Sequence, residues 1–331
     1  MSSSPPTVTH DPARDPAQSS GPSSGRPADP AAPIRVPVPG DPKEHPTRKP
    51  VTLRTLGRMA EQGEPFACLA CYDFTTARWL ERGGVHLLLV GDSAAEVVLG
   101  FDRTIHMPLE VSIALTAAVK RGAPNTVVMA DMPFMSYQAD LAEGVRNAGR
   151  YLTEGRADIV KIEAGAHDAE LVQRMTKAGI PVCAHIGSLP QRAAMTSGYT
   201  SAGRTAESAS QVLNDAVTLE AAGAAMLLIE ATPAEVTQLV LDRTEVPVIG
   251  IGAGPAPHGQ ILVVNDLLGL TDRPPRFADA IGQFGPATAQ AGEEWVRRVA
   301  SRNVGGQAYA LPAAAAPPLG LRQPADGDAW A

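Results

Sequence analysis

Six apolar runs in this chain each carry, at or near their end, residues able to hold charge, move a proton or ligate an ion. Residues 87–93 end in Gly91-Asp92-Ser93, residues 126–133 in Asp131-Met132-Pro133, and residues 66–73 in Tyr72-Asp73. Residues 159–165 carry Lys161 and Glu163, residues 182–187 carry His185, and residues 226–232 carry Glu230. Gathered together, Asp92, Asp131 and Glu163 would repel one another, and a divalent cation is the usual resolution. Oxygen-only ligation beside a lysine and hydroxyls points to Mg²⁺ over Zn²⁺, which would call for more His or Cys. Taken singly, each Asp reads first as a helix cap or loop hydrogen bond; the three together favour the cation.

Lys161 lies two residues before Glu163, so in a strand both point to the same side. It either pairs with a neighbouring carboxylate, as a buried lysine must, or holds negative charge on a substrate. Glu230 follows a continuous apolar run. Apolar walls raise a carboxylate toward the range useful for a general base, although capping the next helix is the plainer role. His185 is open to binding substrate or to satisfying backbone groups in the core. Gly250-Ile251-Gly252-Ala253-Gly254 has the look of a phosphate cradle, but a lone G-x-G-x-G serves a tight turn equally well.

The elements that must position these residues follow from the same runs. Short stretches rich in Val, Ile and Leu and bounded by glycine read as strands buried on both faces of a parallel sheet. Before several of them a polar-apolar helical stretch closes on glycine: Gly83, Gly179 and Gly223. A glycine just past a helix takes the left-handed conformation that caps exposed carbonyls. Helix, glycine and strand in repetition are the pattern of βα units. Residues 246–252 and 261–266 bring the strand count to eight, which predicts a (β/α)8 TIM barrel, with a doubly wound open sheet as the alternative. In the barrel, chemistry belongs at the carboxyl ends of the strands. Residues 52–62, with Leu53, Leu56 and Met59 at helical spacing, form a helix ahead of the first strand that either crosses the amino-terminal mouth or lies on the surface.

Composition bounds the rest. The chain has 331 residues, 44% hydrophobic and only 4% aromatic, as expected of an aliphatic α/β core with tails. Its net charge of -7, with no Lys/Arg block, argues against nucleic acid. No run approaches membrane-spanning length, and the start lacks the basic and apolar segments of a signal peptide, so no membrane partner and a cytoplasmic location are expected. Residues 1–50 hold 13 of the 30 prolines. The expected organisation is therefore a disordered Pro/Ser-rich arm over 1–49, a catalytic barrel over 50–306 and a flexible Ala/Pro-rich tail over 307–331. Cys68 and Cys71 form a lone C-x-x-C, but within a strand that spacing sends them to opposite faces, so both read as buried small hydrophobes.

The motifs together are similar to those of one family. Tyr72-Asp73, Gly91-Asp92-Ser93, Ala130-Asp131-Met132-Pro133-Phe134, Val160-Lys161-Ile162-Glu163, Ala184-His185-Ile186-Gly187 and Gly250-Ile251-Gly252-Ala253-Gly254 resemble, in order and spacing, those of ketopantoate hydroxymethyltransferase. Arg121-Gly122-Ala123-Pro124 and Gly259-Gln260-Ile261-Leu262-Val263 extend the likeness over roughly residues 50 to 270. The resemblance implies Mg²⁺ held by Asp92 and Asp131 with Glu163 assisting through water. It implies a 2-oxo acid bound with help from Ser93 and Lys161, and Glu230 as the proton acceptor. It further implies 5,10-methylenetetrahydrofolate as the one-carbon co-substrate and a homo-oligomer, typically a decamer. His185 is carried over as a substrate contact.

Departures from the family pattern fall elsewhere. After Gly187 the family has an apolar residue and Thr-Pro-Gln-Ser-Val-Asn, whereas this chain reads Ser188-Leu189-Pro190-Gln191-Arg192-Ala193-Ala194. The family's Gly-Gly-aromatic-basic-Val-Gln-Gly-Arg is replaced by residues 197–204, His258 stands for Asp, and Asn265 and Leu115 stand for His. The expectation is that the metal-dependent chemistry is kept while loops lining the acceptor or folate site differ, so that the acceptor is 3-methyl-2-oxobutanoate or a related 2-oxo acid. The competing readings are a C–C lyase or mutase of the phosphoenolpyruvate and isocitrate lyase type, whose usual loop cysteine this chain lacks, and a degenerate binding homologue.

Overall fold

A computed structural model describes residues 49–195, 198–306 and 309. The expected arm over 1–49 and tail over 307–331 lie outside these residues, apart from Lys49 and Tyr309. Strands β1 (Phe66–Ala70), β2 (Leu87–Val90), β3 (Val127–Asp131), β4 (Ile159–Glu163), β5 (Val182–Gly187), β6 (Met226–Glu230), β7 (Val248–Ile251) and β8 (Gly259–Val263) pair in parallel and in order, and β8 closes on β1. The open-sheet alternative is thereby excluded. The helices are α1 (Leu53–Glu61), α2 (Phe74–Arg82), α3 (Ala94–Val97), α4 (Leu109–Gly122), α5 (Leu141–Thr153), α6 (Ala169–Lys177), α7 (Ala206–Ala221), α8 (Ala234–Leu241), α9 (Val264–Leu267) and α10 (Phe284–Ala300). No helix separates β7 from β8 among the described residues, and none is long and apolar enough to cross a membrane.

The period-two geometry of the strands divides the core into two layers. Val128, Ala130, Val160, Ile162, Ala184, Ile186, Leu227 and Ile229 face outward and are buried under the helices. Val127, Met129, Ile159, Cys183, Met226, Leu228 and Ile249 face inward and fill the lower barrel. Leu56 of α1 is fully buried against that inner cluster, with Leu53 and Met59 packed beside it. α1 therefore plugs the amino-terminal mouth, the first of the two positions open to it. Thr52 starts it with a capping box, its hydroxyl accepting from Thr55 N at 3.2 Å.

Two boundaries differ from the sequence reading. The eighth strand runs Gly259–Val263, five residues in register with Phe66 to Ala70, and the chain turns into α9 where β1 has no further residue to pair with. After α2 the left-handed residue is Gly84 (φ +88°), since Gly83 keeps the helical conformation, whereas Gly179 (φ +84°) and Gly223 (φ +104°) take the cap as expected. Cys68 joins the inner cluster and Cys71 the outer one, on opposite faces.

Candidate functional site

Above the apolar filling, the next inward positions of β3 to β6 are Asp131, Lys161 and Glu163, His185, and Glu230. The alternation that makes Met129, Ile159, Cys183 and Leu228 core residues therefore aims these polar side chains into the lumen at the carboxyl-terminal rim. Asp92 and Ser93 arrive from the turn after β2. With Asn265, Asp266 and Arg273 they line one cavity of about 840 Å³ that also takes in every site residue expected from sequence.

The floor of that cavity is almost dry: Asp92, Asp131, Lys161 and Glu163 are 5%, 1%, 4% and 2% exposed. Lys161 Nζ donates to both oxygens of Asp131 at 2.7 Å, so of its two open roles the ion pair is realised. Its three N–H groups still leave donor capacity toward the cavity it lines. The backbone N–H of Asp92 donates to Asp131 Oδ2 at 3.2 Å, which brings the two aspartates side by side. Burial pushes Asp131 up to about 7; Lys161 opposes that shift and Asp92 adds to it. Burial likewise raises Glu163 against the pull of Lys161. For Lys161 burial alone would lower the pKa, but Asp131, Asp92 and Glu163 outweigh it and hold the ammonium above its usual value. One lysine thus faces three carboxylates, and the upward shifts of Asp131 and Glu163 come first from burial and then from the carboxylates beside them.

That donor set fits a hard, oxygen-seeking dication. Among the described residues no group of three or more His, Cys, Asp or Glu side chains is close enough to hold a metal ion unaided. The adjacent pair is Asp92 and Asp131, so an ion there completes its shell with ligands from outside the chain. Glu163 stands off, both its oxygens accepting from Gln191 N at 3.1 Å.

His185 lies between two carboxylates, Nδ1 4.0 Å from Glu163 Oε1 and Nε2 3.3 Å from Glu230 Oε2. Neither nitrogen meets hydrogen-bond geometry, so the Nε2 approach to Glu230 is a close charge–dipole contact. Burial, then Lys161, lower its pKa and keep the imidazole neutral, the Glu230 carboxylate opposing. Glu230 itself is only partly buried and sits against His185. Its environment is thus a polar cavity edge in addition to the apolar strand that the sequence reading emphasised. The β5–β6 ends meet here with no room to spare: Gly187 has φ +90°, and a Cβ on it would lie 2.5 Å from Glu230 O. Ala231, directly after Glu230, is held at φ +46°, a conformation rare for a residue with a side chain.

Not every rim residue joins the chemistry. Asp73 caps α2, accepting from Thr76 N at 2.9 Å, while Tyr72 Oη lies 2.8 Å from Ser93 Oγ. The glycines at 250 and 252 serve packing: a Cβ there would strike Pro257 at 2.5 Å and Phe277 at 2.7 Å. Of the departures, Ser188, Thr200, Ser201 and Asn265 line the cavity, as does Tyr199, which keeps the family's aromatic residue. His258 and Leu115 do not: His258 Nδ1 accepts from Val248 N at the amino end of β7, and Leu115 packs under the barrel wall. The three cysteines are free and buried.

Sequence reasoning missed Tyr137, Gln191 and Asp266. Gln191 and Tyr137 are buried among the carboxylates, and Asp266 is a buried cavity-lining carboxylate that no donor reaches among the described residues. Tyr137 and Gln191 close no apolar run, so pattern offered no signal for them, although Pro190-Gln191 is the one pair in its loop that keeps the family's residues; Asp266 ends the run 261–266, which was the signal that could have found it.

Comparisons with known proteins bear on the whole barrel. A family model described as ketopantoate hydroxymethyltransferase matches residues 50–306. A 3-methyl-2-oxobutanoate hydroxymethyltransferase of Halorhodospira halophila is 43% identical over 257 residues, covering 78% of this chain and 93% of its own. One of Alkalilimnicola ehrlichii is 48% identical over 240 residues, covering 72% and 86%. Among solved structures, a phosphonopyruvate hydrolase in complex with oxalate and Mg²⁺ superposes with a TM-score of 0.53 at 14% identity, covering 79% of this chain and 91% of that one, a likeness of fold.

Proposed function

Because the chain belongs to the ketopantoate hydroxymethyltransferase family, we propose that it adds a one-carbon unit from 5,10-methylenetetrahydrofolate to the enolate of a 2-oxo acid. The acceptor is 3-methyl-2-oxobutanoate or a close relative of it. The observation that carries this reading is the buried floor of Asp92, Asp131 and Glu163 around a single lysine.

A Mg²⁺ held by Asp92 and Asp131, with Glu163 assisting through water, would neutralise this charge and act as a Lewis acid on the acceptor's carbonyl. Lys161 favours the ionised form of Asp131 against its burial and offers its remaining N–H to the acceptor's carboxylate. Ser93 does the same through its hydroxyl: Tyr72 Oη and Ser93 Oγ share one hydrogen bond at 2.8 Å, and with Tyr72 as its donor the Ser93 proton serves the substrate. Glu230 takes the C3 proton at a polar cavity edge. A neutral His185 beside it matters because a charged imidazolium at 3.3 Å would pair with Glu230 and weaken it as a base. Tyr199 donates to Glu96 at 2.9 Å, which ties the segment after Gly198 to α3 at the cavity edge. A cavity of about 840 Å³ is ample for a small acid together with part of a larger co-substrate.

The cavity residues that depart from the family pattern favour a related acceptor as much as 3-methyl-2-oxobutanoate itself. The test is to incubate the protein with Mg²⁺, methylenetetrahydrofolate and a panel of 2-oxo acids and identify products by mass. A hydroxymethylated product that requires both Mg²⁺ and the folate is expected; its absence for every acid tried defeats the proposal.

A further inference from the structure

Gln191 lies in the 3₁₀ turn Pro190–Arg192 after β5, with no place in the chemistry above, yet it touches both outer carboxylates of the site. Its carboxamide is buried and saturated. Nε2 donates to Asp92 Oδ2 at 2.9 Å and to Met132 O at 3.0 Å, while Oε1 accepts from Tyr137 Oη at 3.0 Å and from Gln138 Nε2 at 3.1 Å. An amide could in principle be flipped, but here its neighbours forbid it. Met132 O can only accept, so the NH₂ end is fixed at Asp92.

The backbone N–H of the same residue bridges Glu163 Oε1 and Oε2 at 3.1 Å each. Glu163 N–H in turn donates to Tyr137 Oη at 3.1 Å, and the tyrosine hydroxyl faces two acceptors, Gln191 Oε1 at 3.0 Å and Glu163 O at 3.2 Å. A closed relay therefore runs from the end of β4 through Tyr137 and Gln191 to Asp92 after β2. One consequence is that Asp92 Oδ2 is occupied by an N–H while Oδ1 has no protein donor among the described residues. A second is that Asp92 and Glu163 are locked at a set separation on either side of Asp131.

We infer that Gln191 is the positioning residue of the cation site: it does not ligate, but sets which oxygen of Asp92 is presented and keeps Glu163 one shell further out. Outer-shell hydrogen bonds of this kind orient ligands and typically change metal affinity by about 10–100-fold when lost. The same residue ties the divergent loop after β5 to the carboxylates, so loop changes and cation binding are linked through it. The inference rests on the proposed Mg²⁺ site.

The test is titration calorimetry of the full chain with Mg²⁺ alone, on the parent, Gln191→Leu and Gln191→Met, with melting in EDTA to check each fold. The Leu side chain keeps the backbone N–H to Glu163 but removes the donor to Asp92. Mg²⁺ affinity is expected to fall about 10–100-fold in Gln191→Leu, and Mn²⁺ bound in its place should give a broadened electron-spin-resonance spectrum as Asp92 changes rotamer. A folded Gln191→Leu that binds Mg²⁺ within about twofold of the parent overturns the inference. If that variant does not fold, the near-isosteric Gln191→Met decides, because it too removes the donor to Asp92 while filling the same space: weaker Mg²⁺ binding supports the inference, and unchanged binding overturns it. A parent that binds neither Mg²⁺ nor Mn²⁺ would instead defeat the proposed cation site itself, an outcome distinct from the failure of Gln191 alone.

Discussion

At the scale of single residues, the site is a problem in charge before it is a problem in shape. Three carboxylates and a lysine share a dry floor, and His185, with carboxylates on two sides, stays neutral because burial and Lys161 prevail. Glu230 is the one carboxylate of the set with appreciable access to the cavity, which suits a group that must receive and release a proton. Replacing it with Gln keeps size and hydrogen bonding but removes the base. Glu230→Gln is expected to lower kcat by about 10²–10⁴-fold while the 2-oxo acid still binds with near-parent affinity. Loss of C3 proton exchange in deuterated water, followed by NMR, is the direct check. Exchange at the parent rate in the variant would remove Glu230 from the role of base.

Among the elements, α1 and the β5–β6 rim do opposite jobs. α1 closes the amino-terminal mouth with Leu56, which has no exposure, so the lumen below the carboxylates is packed with apolar side chains. A large-to-small change there leaves a cavity that the barrel cannot collapse around. Leu56→Ala is expected to cost about 2–5 kcal/mol of stability, read from urea melts. Because α1 and the site lie at opposite ends of the strands, kcat per folded molecule should be unchanged. A loss below about 1 kcal/mol would mean that α1 is a surface helix after all. At the other end, Gly187 and Ala231 hold backbone conformations that bring the β5 and β6 termini into contact. Strain is tolerated here because the neighbouring strands over-determine the path.

For the molecule as a whole, closure of the sheet is what makes the interior uniform: Cys68 and Cys183 lie inside the barrel, Cys71 between barrel and helices, and all three thiols are shielded. Burial pushes Cys71 and Cys183 up to about 12, and Cys68 well above the ordinary value. The thiolate is the reactive form, so at pH 8 the native protein should resist iodoacetamide and then label at all three positions in denaturant, counted by intact mass. Rapid labelling of the native protein would show that the barrel opens. The result also bears on chemistry, since a reaction relying on a loop thiol has no candidate cysteine in this chain.

The division between sequence and tertiary structure follows from the range of the interactions involved. Strand positions, inward and outward faces, and the polar ends of β3 to β6 were legible because they depend on a two-residue period and on glycine at helix ends, both local properties. That period alone sends Lys161 and Glu163 to one side and Cys68 and Cys71 to two. Closure of eight strands into a barrel was not legible, since an open sheet has the same local pattern; only the pairing of β8 with β1 decides it. Nor were Gln191 and Tyr137, which stand 99 residues from Asp92 and 26 from Glu163 respectively, in a turn with no periodicity. Their roles arise from donors and acceptors that meet once the barrel has folded. The chain itself determines which residue types end each strand, and the fold alone decides which of them share a shell.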